Sequence, residues 1–306
     1  MSNPLVSVIM PIYNSELYLQ EAIKSILNQT YSNFEFLIFN DGSTDKSQQI
    51  VNSFNDPRIQ LYNHRVNQGL IATLNKSLRL ARGTYIARMD SDDISFSTRI
   101  ETQVLFMEKN LEIGVCGTWA EVFNDSGILF YVKNPKDNLQ IKMNLIWLKS
   151  GLIHPSVMVR KFLFENLEYS QDYYHCEDFK LWIDMRNKTK LANIPKVLLR
   201  YRAHSAQISN QYKEIQVMNG LKAIKPLVAE FRMSKYEMAN YLKYIEKTLL
   251  NRIEIGIEEI IENALLLINK NNETELYPKY DFNKCIAKNS FGIFKQLSNF
   301  SYSLWF

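Results

Sequence analysis

The strongest constraint on the fold is an alternation, within the first 90 residues, between short apolar runs and segments with helical spacing. Nearly continuous apolar runs are typical of strands that are covered on both faces of a sheet. The predicted strands are Leu5–Met10, Phe34–Phe39, Ile59–Tyr62 and Tyr85–Met89. Between them, apolar residues recur three or four positions apart, which predicts helices. This alternation predicts an α/β fold with a mostly parallel central sheet flanked by helices.

Polar segments follow three of the predicted strands directly. They are Pro11–Asn14, Asn40–Asp45 and Asp90–Asp93. The carboxyl ends of parallel strands lie at the same edge of a sheet, and ligands of such sheets bind beyond that edge. We therefore expect the three segments to line one cleft.

The last of these segments holds three carboxylates within four positions, Asp90, Asp92 and Asp93. Like charges at such short range repel each other unless a cation lies among them. Hard divalent cations such as Mg²⁺ prefer oxygen ligands and are often held by one or two carboxylates together with substrate phosphates. The segment therefore predicts a site for a metal-bound phosphate ester. The alternative is a solvated acidic turn before a helix, because Thr98–Glu101 resembles a capping box.

The bulk composition excludes several classes of protein. The 306 residues are 46% apolar and 22% charged, as in a globular protein, and a net charge of +4 is too weak to indicate a nucleic-acid partner. The three widely spaced cysteines favour reduced thiols over a disulfide framework or a zinc site. Neither a signal peptide nor a transmembrane run is evident, so we expect a cytoplasmic protein, at most peripheral at the inner face of the membrane.

A change in composition near residue 210 predicts a second structural part. Lys, Glu, Ile and Leu dominate from about residue 213, which indicates a helical C-terminal extension. We expect a domain over 1–210, with a nucleotide-binding half of about 1–95 and an acceptor half of about 96–210, followed by the extension 211–306. The chain ends in Leu304–Phe306. This end is compatible with a helix packed on the body, with a membrane-surface contact or with self-association.

Short motifs follow one another in a fixed order along residues 5–205. The first four are Val6–Asn14, Asn40–Asp45, Asn67–Leu70 and Ala87–Asp93, and the later three are His154–Lys161, Glu177–Trp182 and Tyr201–His204. Each motif alone is weakly specific, but the ordered series resembles the family 2 glycosyltransferases of the GT-A fold. One departure is Asn40, where the family often carries Asp, although Asp41 is retained beside it.

The resemblance implies an inverting, metal-dependent transferase that moves a sugar from a nucleotide-diphosphate donor, UDP-linked, to a hydroxyl of a saccharide or lipid-linked saccharide in bacterial capsule or lipooligosaccharide synthesis. The residues implied in donor binding are Pro11, Tyr13, Asn14, Asp41, Asn67, Gly69, Arg88, Asp90 and Ser91. The implied ligands of a divalent cation, Mn²⁺ or Mg²⁺, are Asp92, Asp90 and His204. The implied general base is Asp178, and the implied acceptor contacts are Glu177, His154 and Asp93.

Several of these residues also have a purely structural interpretation. Asp41, implied as the acceptor of the uracil N3–H, can instead cap the following helix. Arg88 can pair with a neighbouring carboxylate, and His154 can hydrogen-bond a loop. Glu177 and Asp178 are also favourable as carboxylates at a helix N-terminus.

Two other classes of function remain open at the level of the sequence. A nucleotidyltransferase on a similar sheet is the enzymatic alternative, but such enzymes usually carry a Gly-rich loop after the first strand, where this chain has Pro11–Asn14. A dinucleotide dehydrogenase is disfavoured because the G-x-G-x-x-G fingerprint is absent there. A non-catalytic carbohydrate-binding protein is the other alternative, and the presence of Asp90, Asp92 and Asp178 together argues against it.

Overall fold

The computed structural model describes residues 3–204, 211–250 and 255–298. The first half of the chain contains the alternating elements predicted from the sequence, at bounds within a few residues. They are β1 (Val6–Ile12), α1 (Leu19–Leu27), β2 (Phe34–Asn40), α2 (Ser47–Asn52), β3 (Ile59–Asn63), α3 (Leu70–Leu80) and β4 (Tyr85–Arg88). These four strands pair in parallel in the order β3-β2-β1-β4, so the prediction for this part is confirmed.

The sheet becomes mixed beyond β4. The following elements are β5 (Ile94–Ser95), α4 (Arg99–Lys109), β6 (Ile113–Asn124), β7 (Gly127–Val132), α5 (Asn138–Leu145), β8 (Met158–Arg160), α6 (Glu177–Met185) and β9 (Lys190–Arg202). Within the described residues the strand order is β3-β2-β1-β4-β8-β6-β9-β5, with β7 paired to β6. β8 lies antiparallel between β4 and β6, whereas β9 runs parallel to β6. The parallel arrangement expected of most of the sheet therefore applies to its first part and to the β6–β9 pair, and the other pairings are antiparallel.

One predicted strand begins later than the sequence indicates. The apolar run Ser156–Val159 predicts a strand, but residues His154–Ser156 form a 3₁₀ turn and β8 starts at Met158. Pro155 has a fixed φ that suits the first helical position, and the Ser156 N–H donates to the Ile153 carbonyl at 2.8 Å. The Ser156 hydroxyl accepts the Thr118 N–H at 3.1 Å, which ties the turn to β6.

The core of the sheet explains why the first strands are nearly continuous in apolar residues. All seven residues of β2 are buried, as are six of the seven in β1. α1 contributes Leu19, Ala22, Ile23 and Ile26 to the same hydrophobic core. A parallel strand covered on both faces has no solvent side on which polar residues are favourable, so the alternation typical of exposed sheets is absent.

The chain divides into two compact units, each described here by itself. The first comprises residues 1–138, 151–172 and 184–207 and contains the sheet. The second comprises 139–150, 173–183 and 208–306. Its long helices in the described residues are α7 (Lys213–Glu230), α8 (Lys235–Leu250), α9 (Ile257–Thr274) and α10 (Lys279–Ser298). The helical character predicted for the C-terminal region is thus confirmed, and the division at residue 210 remains a proposal. Leu304–Phe306 lies outside the described residues.

The second unit has its own aromatic core. The Trp147 ring packs edge-on against Tyr241 and Tyr244, with centroids 6.2 and 6.4 Å away. The Tyr241 hydroxyl donates to the Ile146 carbonyl at 3.0 Å, which satisfies its buried oxygen. α7 approaches this segment so closely that a Cβ on Gly220 would lie 1.8 Å from Cδ2 of Leu148. In the part of the chain that the structure describes, no helix has the length and apolar character needed to cross a membrane.

Candidate active site

The loops after β1 and β2 are locked to each other by hydrogen bonds. Asn14 has a positive φ of 47°, its N–H donates to the Ser43 hydroxyl at 3.0 Å, and its Oδ1 accepts the Thr44 N–H at 2.9 Å. Pro11 is partly buried, whereas the Tyr13 side chain is 50% exposed. The strand end therefore presents an exposed aromatic ring beside a backbone that hydrogen bonds hold in place.

Asp41 braces the loop between β3 and α3. Its buried carboxylate accepts the Gln68 N–H at 2.9 Å through Oδ1 and the Gly69 N–H at 2.9 Å through Oδ2. The His64 Nδ1 lies 2.8 Å from Oδ1. The alternative given for Asp41, a cap on the following helix, is not formed: the N-cap of α2 is Lys46, and Asp41 instead holds the N–H of Gly69, the residue that precedes α3. A carboxylate has about four acceptor positions, so these three contacts leave room for one more donor.

Asn40 and the neighbouring glycine explain the close approach of these loops. The buried Asn40 side chain donates to Asn63 Oδ1 and accepts the Ser43 N–H, both at 3.0 Å. An amide can do both at once, which a carboxylate in this position cannot. Gly42 has a φ of +75°, and a Cβ there would lie 2.7 Å from the Asn67 backbone nitrogen. Asn67 Oδ1 accepts the Gly69 N–H at 2.9 Å, so residues 67–69 form a turn.

The acidic cluster lies directly after β4. Carboxylate oxygens of Asp90, Asp92 and Asp93 all lie within 4.8 Å of one another. Burial, and then the charge of Asp92, raise the pKa of Asp90, while Arg88 opposes this shift. Burial, followed by the charges of Asp92 and Asp90, raises the pKa of Asp93 well above its ordinary value. Three carboxylates this close therefore repel one another in the absence of a cation.

Groups from β4 and β9 hold the cluster in place. Arg88 is buried and donates from Nη2 to Asp90 Oδ1 at 2.5 Å, which is the ion pair given as its structural alternative. The Arg202 N–H donates to Asp93 Oδ1 at 2.9 Å, and its Nε donates to the Asp92 carbonyl at 2.9 Å. In the sequence, Arg202 stands out only as part of the motif Tyr201–His204. Its contacts with the cluster could not be predicted, because they depend on where β9 ends.

His204 and Ser91 connect the cluster to its surroundings. His204 Nε2 lies 2.9 Å from Asp92 Oδ2, so the structure brings together these two predicted metal ligands. The Ser91 hydroxyl lies 2.8 Å from that of Ser15, which links the acidic loop to the loop after β1. The predicted donor-binding residues of the first unit are therefore held in one interconnected set of loops.

The acidic cluster fits a divalent cation. The Asp93 Oδ2 is buried and has no hydrogen-bond partner among the described residues. Buried acceptors are nearly always satisfied, and an all-oxygen donor set is the type that Mg²⁺ and Mn²⁺ prefer. Asp90 and Asp92, with Asp93 beside them, are the carboxylates that would hold the ion, and His204, the third predicted ligand, lies 2.9 Å from Asp92.

Arg99 is a buried arginine that sequence reasoning did not assign. It is fully buried at the start of α4, and Nη1 donates to the carbonyls of Arg88 at 3.2 Å and Pro155 at 2.5 Å. Burial lowers the pKa of Arg99 to about 10, although Asp93 opposes this shift. The capping box expected at Thr98 is wrong: Thr98 makes no side-chain cap, and Glu101 accepts the Thr30 hydroxyl at 2.7 Å.

His154, predicted as an acceptor contact, lies in the 3₁₀ turn that Arg99 holds. Its Nε2 is 2.9 Å from the Tyr169 hydroxyl, and the Tyr169 N–H donates to Asn75 Oδ1 at 2.9 Å. Burial, together with the positive charge of Arg88, lowers the pKa of His154 well below its ordinary value. The imidazole is therefore neutral at pH 7 and makes the loop contact given as its structural alternative.

Glu177 and Asp178 are the first two residues of α6, in the second unit. Glu177 is buried, and Asp178 Oδ1 accepts the Phe179 N–H at 2.6 Å. Carboxylates in the first turn interact favourably with the positive end of a helix. This arrangement meets the structural expectation for the pair and leaves their predicted chemical roles as predictions.

Solved structures with the same arrangement of elements define the fold class. The crystal structure of S. aureus TarS 1–349 in complex with UDP-GlcNAc matches with a TM-score of 0.64 at 16% identity, covering 96% of this chain and 91% of that chain. The Pyrobaculum calidifontis mannosyltransferase PcManGT, in complex with GDP-Man and Mn²⁺, matches with a TM-score of 0.59 at 15% identity, covering 97% of this chain and 88% of that chain. At these identities the likeness shows the fold alone, which is the GT-A fold.

Sequence relatives then identify the family. The model of glycosyl transferase family 2 matches residues 7–168. A Haemophilus influenzae protein named uncharacterized glycosyltransferase is 36% identical over 235 residues, which cover 70% of this chain and 70% of that protein. The Escherichia coli protein named UDP-Glc:alpha-D-GlcNAc-diphosphoundecaprenol beta-1,3-glucosyltransferase WfgD is 32% identical over 219 residues, which cover 71% of this chain and 84% of that protein. The chain belongs to glycosyl transferase family 2.

The position of Arg99 predicts that its removal weakens cation binding by the acidic cluster. Arg99→Met should lower the affinity for Mn²⁺ by about 10–100-fold, as the loss of a group that orients metal ligands usually does, because it releases the Arg88 carbonyl just before the cluster. Electron paramagnetic resonance of free Mn²⁺ measures this affinity directly. Arg99→Lys, which keeps the charge, should recover part of it.

The matched control for Arg99 is Gln103, one turn further along α4. Its buried Nε2 donates to the carbonyls of Ser156 at 2.8 Å and Cys116 at 3.1 Å. Gln103→Met should lower stability by about 1–3 kcal/mol, since it leaves buried carbonyls unpaired, and should leave the Mn²⁺ affinity unchanged. Equal loss of Mn²⁺ affinity in both variants would show that Arg99 has no specific role in orienting the acidic cluster.

The buried state of His154 predicts that stability falls in acid. Its pKa is lower in the folded chain than the unfolded value of about 6.5. The unfolded state therefore binds the extra proton more readily, and stability present above about pH 6.5 is lost as the pH falls below it. The free energy of unfolding, measured with urea at pH 7.5, 6.5 and 5.5, should fall with decreasing pH. This pH slope should be steeper in the wild type than in His154→Gln by up to about 1.4 kcal/mol per pH unit. Tyr169→Phe keeps the imidazole buried and should retain the slope; equal slopes in wild type and His154→Gln would contradict the assignment.

Proposed function

We propose that the protein is an inverting transferase that moves a sugar from a UDP-linked donor to a hydroxyl of a lipid-linked saccharide, with the help of a divalent cation. The observation that carries the proposal is the cluster of Asp90, Asp92 and Asp93 at the end of β4, in which one buried oxygen of Asp93 has no hydrogen-bond partner in the described part of the chain. Membership of glycosyl transferase family 2 supports the reaction class. It also disfavours the nucleotidyltransferase alternative.

The choice of donor and acceptor draws on the relatives. The fold neighbour TarS was solved with UDP-GlcNAc, and WfgD is named as acting from UDP-Glc on a diphosphoundecaprenol-linked sugar. Donor binding falls to the interlocked loops of the first unit. The proposal assigns the exposed ring of Tyr13 to stacking on the base and the remaining acceptor position of Asp41 to the uracil N3–H. Because Asp41 also braces residues 68 and 69, its substitution is expected to disturb the loop as well as base selection.

The reaction is a single displacement. Asp178 accepts the proton of the acceptor hydroxyl, and that oxygen attacks the anomeric carbon on the face opposite the diphosphate. The bond between the anomeric carbon and the phosphate oxygen breaks, UDP departs with the electron pair, and the configuration at the anomeric carbon is inverted. Asp90, Asp92 and His204 would hold a divalent cation, which would supply positive charge that stabilises the leaving diphosphate. Glu177 is proposed to hold a second hydroxyl of the acceptor.

A lipid-linked acceptor implies that the reaction takes place at a membrane surface. Contact of the C-terminal helices with the membrane, or with a second copy of the chain, therefore remains part of the proposal. α9 exposes Ile257, Ile261 and Leu265 at intervals of four residues. Such a stripe is suited to either contact, and liposome flotation and sedimentation distinguish the two.

The metal-binding role of Asp92 predicts loss of donor binding on its neutralisation. Asp92→Asn should weaken UDP binding in the presence of Mn²⁺ by at least roughly 10–100-fold, since it removes a ligand itself and not only an orienting partner. Calorimetry with Mn²⁺ and with EDTA measures this, and hydrolysis of UDP-sugars in the same samples reports activity. Asp125→Asn, at an exposed position beside the β6–β7 turn, is the control and should change neither. Full activity of Asp92→Asn, or full activity in EDTA, would refute the metal-dependent reaction.

The proposed role of Asp178 predicts a large loss of turnover without loss of donor binding. Removing a positioned proton acceptor typically costs roughly 10²–10⁴-fold in rate, so Asp178→Asn should transfer at about that reduced rate while UDP binds normally. If the carboxylate served only the helix N-terminus, the variant would lose about 0.3–1 kcal/mol of stability and keep its turnover. Glu214→Gln, in the first turn of α7, shows the size of that purely structural effect. Glu177→Gln should mainly raise the KM for the acceptor.

A further inference from the structure

A row of aromatic rings precedes the candidate base in the second unit. Tyr173, Tyr174 and His175 come shortly before α6, whose first residues are Glu177 and Asp178. Residues that immediately precede a helix lie at its N-terminal end, which is the end that carries Asp178. Whatever brings a hydroxyl to Asp178 therefore passes close to this segment.

The His175 ring contacts the rings of two tyrosines, tilted against Tyr174 and stacked on Tyr212. The His175 ring centroid lies 3.8 Å from that of Tyr174 and 4.1 Å from that of Tyr212, with interplanar angles of 35° and 21°. Tyr212 is the N-cap residue of α7. We call Tyr174, His175 and Tyr212 the ring row.

The ring row is held at the surface and does not form part of the core. Tyr174 is 50% and Tyr212 37% exposed. His175 adopts a φ of +62°, a left-handed conformation that is unfavourable for a residue with a Cβ. The Asn219 side chain donates to the Tyr174 carbonyl at 2.7 Å, which fixes the segment against α7. Strained backbone of this kind persists where the surroundings impose it, and it clusters at ligand sites.

Two cations lie beside the same segment. The ammonium groups of Lys180 and Lys222 lie 5.2 and 4.6 Å from the centroid of the Tyr173 ring. Lys180 belongs to α6 and Lys222 to α7, so the two helices bring positive charge to one ring. The surface thus combines partly exposed tyrosine rings, which carry hydroxyls, with positive charge.

This combination matches one class of ligand. A pyranose ring presents a face of C–H groups, which packs on an aromatic face, and a rim of hydroxyls, which hydrogen-bond to groups such as the tyrosine hydroxyl. A phosphate attached to that pyranose would find the two ammonium groups nearby. A lipid tail would instead favour a continuous apolar surface, which the lysines and the tyrosine hydroxyls interrupt.

We propose that the ring row, with Lys180 and Lys222, is the acceptor subsite and binds a pyranose that carries a phosphate. The inference rests on the proposed function, because it takes Asp178 as the base that the acceptor must reach. It adds the class of acceptor, a pyranosyl phosphate or diphosphate, and the residues that recognise it. Free and lipid-linked sugar phosphates share this chemistry, and the experiment separates them.

Saturation-transfer NMR on the full-length chain, with UDP and Mn²⁺ in excess to fill the donor site, tests the proposal. The probes are the 1-phosphates of α-D-glucose and N-acetyl-α-D-glucosamine, the methyl glycosides of the same two sugars, and their diphosphates with a short alkyl chain. The phosphorylated sugars should bind more tightly than the methyl glycosides. Tighter binding of the alkyl diphosphates supports the lipid-linked source, and equal binding supports free sugar phosphates.

Variants separate the two halves of the subsite. Tyr174→Ala and Tyr212→Ala should each weaken binding of every probe by up to roughly tenfold, the equivalent of losing one aromatic contact, whereas Tyr174→Phe keeps most of it. Lys180→Gln and Lys222→Gln should remove the advantage of the phosphorylated probes and leave the methyl glycosides unaffected. Tyr236→Ala, at a 77% exposed tyrosine on α8, is the control and should bind all probes as the wild type does.

The outcomes distinguish this proposal from the proposed function. UDP binding with Mn²⁺ and thermal stability are measured on the same samples. If the wild type binds UDP but none of the sugar probes, or if the alanine variants bind them normally, the ring row is not the acceptor subsite and the proposed function is untouched. If the wild type binds no UDP at all, the proposed function fails first, and the ring row fails as an acceptor subsite with it.

Discussion

The mutual repulsion of three carboxylates is the constraint that the other contacts of the first unit's candidate site must offset. Asp90, Asp92 and Asp93 have oxygens within 4.8 Å of one another at a place that is partly or fully buried. Repulsion and desolvation both disfavour the charged forms there. The fold offsets this with donors from several elements, including the guanidinium of Arg88 and the backbone and side chain of Arg202. Such an arrangement is costly for stability alone, and it is understandable as a site prepared for a cation.

The mixed half of the sheet contributes to offsetting this repulsion, because it positions Arg202 and His204 at the acidic loop. β9 runs for 13 residues, ends at Arg202, and lies between β6, with which it is parallel along its length, and the short strand β5, with which it is antiparallel at residues 199 and 200. The pairing of Ile94 with Arg200 sets the register at which Arg202 and, beyond it, His204 meet the acidic loop. A one-residue slip would turn these side chains to the opposite face of the sheet. The long strand is therefore the element that completes the cluster begun by β4.

The sequence predicted the parts of the molecule that depend on local pattern. The four parallel strands and their helices follow from apolar runs and helical spacing, and the acidic cluster follows from its composition. Arg99 and Arg202 were missed, because their roles depend on contacts with carbonyls distant along the chain. The strand predicted from Ser156 begins two residues later for a related reason, since the Ser156 hydroxyl accepts the Thr118 N–H from within a turn. The roles of His204 and Asp178 came from family resemblance and not from any local pattern.

The two compact units differ in how far the functions proposed for them can be predicted from sequence motifs. A nucleoside diphosphate presents the same phosphates and nearly the same base edge to every enzyme that uses it, so the loops that bind it converge on a few motifs that can be read directly. The acceptor differs from one enzyme to the next, and specificity for it depends on a small number of pocket contacts. The ring row is such a set of contacts: Tyr174, His175 and Tyr212 form no motif, and 36 residues separate the second of them from the third. Only the packing of the loop before α6 against the start of α7 brings them together. For this chain, the sequence motifs therefore predict the residues for donor binding, whereas the residues proposed for acceptor recognition become visible only in the three-dimensional structure.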